Sequence, residues 1–189
     1  AVPVSLACAS AGIVIGIVSM TGLGVRFTQI VVELSGGRLF PMLLLIMVAC
    51  IVLGMGLPST AAYVIAAAVG APALLNAGIP ALGANLFVFY FAIISFITPP
   101  VAIASYAAAG LAGGSSTKTG YLAFKLGIAG FIIPFLYIYH PGLLILGTST
   151  WETLYALMLA AGAVVLIAAS FEGWVGVDLL FFERFALIL

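Results

Sequence analysis

The chain has 189 residues, 66% of them hydrophobic and only 5% charged, with a formal net charge of zero. A soluble domain carries about a quarter charged residues, so this composition excludes a soluble globular protein and points to one whose solvent is the lipid bilayer. The basic residues Arg26, Arg38, Lys118, Lys125 and Arg184 are scattered, which excludes a surface that tracks phosphates and removes nucleic acid as a partner.

A hydrocarbon core about 30 Å thick needs about 20 apolar residues to cross it as a helix. Residues 1–25 supply a first span, and Ala11, Gly12, Gly16 and Ser19 within it let neighbouring helices approach closely. Residues 26–38 carry Arg26, Gln29, Glu33 and Arg38 and end in Ser35-Gly36-Gly37, the pattern of a short interfacial segment followed by a turn. Between Arg38 and Lys118 there is no charged residue.

Residues 39–75 are apolar but interrupted at Gly54-Met55-Gly56-Leu57-Pro58-Ser59-Thr60. The arm before the break is too short to cross comfortably, and Ser59 or Thr60 is placed to cap the helix after it. Two arms joined by a tip at 54–60 read as a re-entrant hairpin; a straight but kinked helix is the alternative. A loop follows at 76–84. Residues 85–112 form a second interrupted helix, with Phe87, Phe89, Tyr90 and Phe91 in its first half and a break at Ser95-Phe96-Ile97-Thr98-Pro99-Pro100.

Residues 119–140 form a further span kinked at Pro134, and residues 151–170 another, with Trp151 at its interfacial end. Residues 171–189 read as an amphipathic tail or the start of another helix. Lys118 and Lys125 favour a cytoplasmic loop near 112–125. The chain opens without Met and closes inside an apolar run, from which we expect a piece of a longer permease.

The breaks carry the chemistry. Proline removes one N–H, and its ring clashes with the carbonyl four residues back. Pro58 is thus expected to free the carbonyl of Gly54, and Pro99 and Pro100 those of Ser95 and Phe96. The hydroxyls of Ser59, Thr60, Ser95 and Thr98 stand beside them. Hard cations take oxygen ligands of this kind, so Gly54, Gly56, Ser59, Thr60, Ser95 and Thr98 form the candidate Na+ and substrate site. Pro58, Pro99 and Pro100 are its structural breaks. The plainer reading is that such hydroxyls bond their own helix carbonyls and that the prolines only kink.

Other residues point to no reaction. Cys8 and Cys50 lie in apolar runs as small hydrophobes, His140 has no acidic residue beside it, no Ser/His pair lies at a spacing that suits an intramembrane protease, and there is no Asp/Glu cluster. We expect no enzyme activity, no catalytic residue and no organic cofactor.

At these motifs the chain resembles the large membrane subunit of tripartite ATP-independent periplasmic (TRAP) transporters, and most of all fused permeases that join the small and large subunits. The resemblance rests on Thr21-Gly22-Leu23-Gly24, on Leu53 to Tyr63 with its Gly-Met-Gly-Leu-Pro-Ser-Thr core, on Leu86-Phe87-Val88-Phe89-Tyr90-Phe91, and on Thr98-Pro99-Pro100-Val101-Ala102 followed by Ala107-Ala108-Ala109-Gly110. It continues through Lys118-Thr119-Gly120 and Pro134-Phe135. It implies an all-α integral membrane fold: the C-terminal repeat of an elevator-type transporter, with a re-entrant hairpin at 39–75 and a discontinuous helix at 85–112.

The function it implies is Na+-coupled symport of organic acids such as dicarboxylates, delivered by a periplasmic solute-binding protein, across the cytoplasmic (inner) membrane of a bacterium or archaeon. The partners implied are that binding protein and the remainder of the permease, including the N-terminal repeat. A non-transporting membrane scaffold or assembly subunit is the competing expectation.

Overall fold

The computed structural model describes residues 9, 12–13, 16–18, 20–145 and 149–172. Most of the expected first span, Cys8 and the tail from 173 onward lie outside them. Among the described residues the chain is helical, with no strand.

Helix α1 (Leu23–Ser35) buries Gly24, Thr28, Val31 and Ser35, a stripe at helical spacing, and exposes Arg26, Gln29 and Glu33 on its other face. It ends on Gly36 and Gly37, whose N–H groups bond back to the carbonyls of Glu33 and Val32. Helices α2 (Leu39–Gly54), α3 (Ser59–Asn76) and α4 (Ala81–Ile94) follow and pack on one another. Helix α3 is rich in small residues, and this lets the backbones close up where apolar burial gives no drive between helices. Gly70 sits where a side chain would touch Ile46, Cys50 and Val88 at 3.3–3.4 Å. The loop before α4 is shorter than expected, because Pro80 takes the N-cap position and its carbonyl receives the Ala84 N–H at 2.9 Å.

After α4 the chain makes one 3-10 turn (Ser95–Ile97), crosses Thr98-Pro99-Pro100-Val101 without helix, and resumes as α5 (Ile103–Ala112). The span expected at 119–140 is built from α6 (Ser116–Gly127), a 3-10 segment (Ile128–Ile132) and α7 (Ile133–Tyr139). The distortion lies just ahead of Pro134, which takes an early position of α7, where its fixed φ suits the start of a helix. A further 3-10 turn (Pro141–Leu144) precedes α8 (Thr150–Glu172). Ser149 and Glu152 open α8 with a reciprocal capping pair, at 3.0 and 3.4 Å.

Among the described residues three stretches, Ser59–Asn76, Ser116–Tyr139 and Thr150–Phe171, are long and apolar enough to cross a membrane. The core joins α2, α3 and α4 through Leu43, Ile46, Ala66, Leu74, Phe87 and Val88. An aromatic cluster ties it to α7: Phe87, Phe91, Phe131 and Phe135 have ring centroids 4.9–6.0 Å apart. Edge-to-face contacts of this kind add to packing alone.

Candidate functional site

The two breaks meet. Helix α2 ends at Gly54, and a Cβ placed there would lie 2.7 Å from the Ser95 Oγ and 2.8 Å from the Ala92 carbonyl oxygen. Only glycine lets the end of α2 approach the end of α4 this closely. The tip then turns through Gly56, at φ +81°, and re-enters helix behind Pro58.

Neither Ser59 nor Thr60 caps α3, contrary to the sequence expectation. Pro58 occupies the N-cap position, no side chain bonds the first turn, and both hydroxyls are exposed inside the helix. Pro58 accepts the Ala62 N–H at 2.9 Å. Gly56 is also exposed on the tip.

The carbonyls also depart from expectation, and by one rule. The Gly54 carbonyl accepts the Leu57 N–H at a long 3.5 Å, and the Ser95 carbonyl accepts the Thr98 N–H at 3.2 Å. In each case the donor is the residue just before the proline, so a bond three residues on replaces the one lost four residues on. The Gly130 carbonyl, four residues before Pro134, likewise takes the Ile133 N–H. Phe96 is the exception. Its fourth residue on is Pro100 and its third is Pro99, so neither possible donor has an N–H. Among the described residues no turn or loop hydrogen bond reaches the Phe96 carbonyl.

The buried hydroxyls are engaged. The Ser95 Oγ donates to the Ala92 carbonyl at 2.7 Å and the Thr98 Oγ1 to the Ile94 carbonyl at 2.9 Å. This is the plainer reading of those two residues, yet each oxygen keeps lone pairs that a cation accepts. Thr98 is extended, at φ −95° and ψ 122°, as a residue before proline must be. The Pro99–Pro100 peptide is cis.

Three of the cavities among the described residues border the breaks. The largest, about 730 Å³, runs from Ser59 on the tip to Ile94, Phe96 and Ile97 at the break, with Phe89, Tyr90, Ile93, Leu126, Gly127 and Gly130 completing its wall. A second, about 610 Å³, is lined by Thr98 and otherwise by apolar and aromatic side chains of α2 and the α6–α7 span. A third, about 350 Å³, lies between Thr98, Pro99, Pro100, Tyr121 and Phe124. Thr98 thus borders two of them. Among the described residues there is no group of three or more His, Cys, Asp or Glu side chains. The polar atoms at the breaks are hydroxyls and main-chain groups.

Sequence reasoning missed three contributors. Tyr90 donates its phenol to the Gly130 carbonyl at 2.8 Å, beside the largest cavity. Tyr106 donates to the Pro100 carbonyl at 2.7 Å. The 3-10 segment Ile128–Ile132 brings a third interrupted helix to the same place, with Gly127 against Ile97. Counting back four residues from Pro134, as from the other prolines, would have named Gly130.

Comparison with protein families matches residues 1–152 to the tripartite ATP-independent periplasmic transporter, DctM component. The chain belongs to this family. It is therefore a permease component of a TRAP transporter, a multi-pass membrane protein of a transporter family, and by that membership a partner of other TRAP components. The two interrupted helices lie within the matched residues of this TRAP permease. No curated protein and no solved structure matched the chain.

Proposed function

We propose that this TRAP permease carries organic acids across the membrane by Na+-coupled symport, with the paired breaks as its ion and substrate site. One observation carries the reading: the tandem proline denies the Phe96 carbonyl both of its helical donors, in a residue that follows Ser95 of the Gly54 contact and lines the cavity of about 730 Å³. A bare carbonyl in a bilayer interior is costly, and a cation meets that cost. Ser59 brings a hydroxyl oxygen to that cavity, Ser95 one to the Gly54 contact and Thr98 one to the other two cavities, and Gly54, Gly56 and Thr60 shape the tip. The first turn of α3 leaves N–H groups without helical partners, and its dipole favours an anion. A carboxylate in the cavity beside Ser59 would meet that end.

In this reading 39–75 is a re-entrant hairpin and 85–112 a discontinuous helix. Together they form one repeat of an elevator-type transporter in the cytoplasmic membrane. A second repeat completes the site, and a periplasmic binding protein delivers the substrate. Support comes from the interrupted helices, their contact and the family.

The test is uptake of labelled organic acid by proteoliposomes holding the complete permease, with its binding protein outside. An imposed Na+ gradient is expected to drive accumulation. Uptake indifferent to that gradient refutes the coupling.

A further inference from the structure

Past the prolines the chain must turn back into helix, and it does so at Ala102. This residue is fully buried and left-handed, at φ +30°, as the N-cap of α5. A residue with a side chain avoids that region, so its surroundings must hold it there. Tyr106 does so at two points. Its N–H bonds the Ala102 carbonyl at 3.0 Å, and its phenol bonds the Pro100 carbonyl at 2.7 Å. The Ala102 N–H in turn bonds the Thr98 carbonyl at 3.2 Å. The Tyr106 ring is seated on Gly120 of α6, where a Cβ would come within 2.9 Å of its Cε1.

We infer that Tyr106 is a positioning residue for the cation site, clamping the Pro100 carbonyl so that the 96–100 main chain holds its ion-binding shape. The inference rests on the Na+ reading above. Tyr106 does not itself touch the ion. It fixes the far side of the elbow that follows the Phe96 carbonyl, and Gly120 leaves the space that its ring occupies.

The experiment is Na+ titration of the purified complete permease, with choline replacing Na+ at constant ionic strength and thermal stabilisation as the readout. Tyr106→Phe is expected to raise the half-saturating Na+ concentration about fivefold, the equivalent of one neutral hydrogen bond, a shift in midpoint that a purely structural loss of the bond, lowering the melting temperature equally with and without Na+, would not produce. Gly120→Ala, which lifts the ring, is expected to shift the midpoint the same way, and the double variant no further than the larger single shift. If Tyr106→Phe does not fold, Gly120→Ala alone decides.

An unchanged Na+ midpoint, or a lower melting temperature with no change in midpoint, overturns the role of Tyr106 and leaves the coupling reading standing. A wild-type permease that Na+ does not stabilise overturns both.

Discussion

Gly54 stands against Ser95 so closely that a Cβ on the glycine would lie 2.7 Å from the serine Oγ and 2.8 Å from the Ala92 carbonyl oxygen. One of these obstacles is a side chain and the other is backbone. Gly54→Ala must therefore push α2 and α4 apart where the two breaks meet, at the about 1–3 kcal/mol typical of overpacking. The complete permease is expected to melt several degrees lower and to lose transport. Adding Ser95→Gly removes the Oγ and leaves the carbonyl, so melting temperature should recover only in part. Full recovery would show that the backbone contact is not what sets the spacing.

The tandem proline makes a sharper prediction. In Pro99→Ala, residue 99 regains an N–H three residues beyond the Phe96 carbonyl, the arrangement that already satisfies the carbonyls of Gly54 and Ser95. The break should become better bonded and poorer at holding a cation. The variant is expected to melt no lower than wild type while its half-saturating Na+ concentration for uptake rises tenfold or more, the effect of about 1.4 kcal/mol. A variant with wild-type Na+ dependence would remove the Phe96 carbonyl from the site.

The breaks were legible because proline and glycine act locally. Gly54 to Thr60 and Ser95 to Pro100 mark interruptions whatever surrounds them, and the absence of charge between Arg38 and Lys118 marks the solvent. Which carbonyls remain bare was less legible. Counting four residues back from each proline is correct for the bond lost, but it ignores the turn that forms in its place. Only at Phe96 does the following sequence forbid both. Tyr90 and Tyr106 were out of reach, since each is an aromatic residue at an apolar position until its partner carbonyl is known. The Ser59 and Thr60 caps failed because Pro58 itself takes the N-cap position.

Thr98 and Ser59 separate binding from packing. The Thr98 hydroxyl is buried and satisfies the Ile94 carbonyl, so Thr98→Ala should cost about 1 kcal/mol of stability as well as weaken the response to Na+. Ser59 is exposed and bonds no first-turn group, so Ser59→Ala should leave the melting temperature alone. Both are expected to raise the Na+ concentration needed for uptake, and Thr98→Ser, which keeps the oxygen, should recover most of the loss. Na+ dependence unchanged in both alanine variants would place the ion elsewhere.

Tyr90 offers a test of the carbonyl rule away from the ion. Its phenol and the Ile133 N–H both reach the Gly130 carbonyl, which Pro134 deprives of its ordinary helical donor. Tyr90→Phe should destabilise the permease by about 1 kcal/mol, since the carbonyl keeps one partner. Pro134→Ala supplies the missing N–H, so in that background the phenol matters less and Tyr90→Phe should cost measurably less. A double-mutant cycle on melting temperatures reads this coupling directly. Strict additivity would mean that the carbonyl freed by Pro134 needs no second donor, and a Tyr90→Phe variant as stable as wild type would mean that Tyr90 stabilises through its ring alone, against Phe91 at a centroid distance of 5.7 Å.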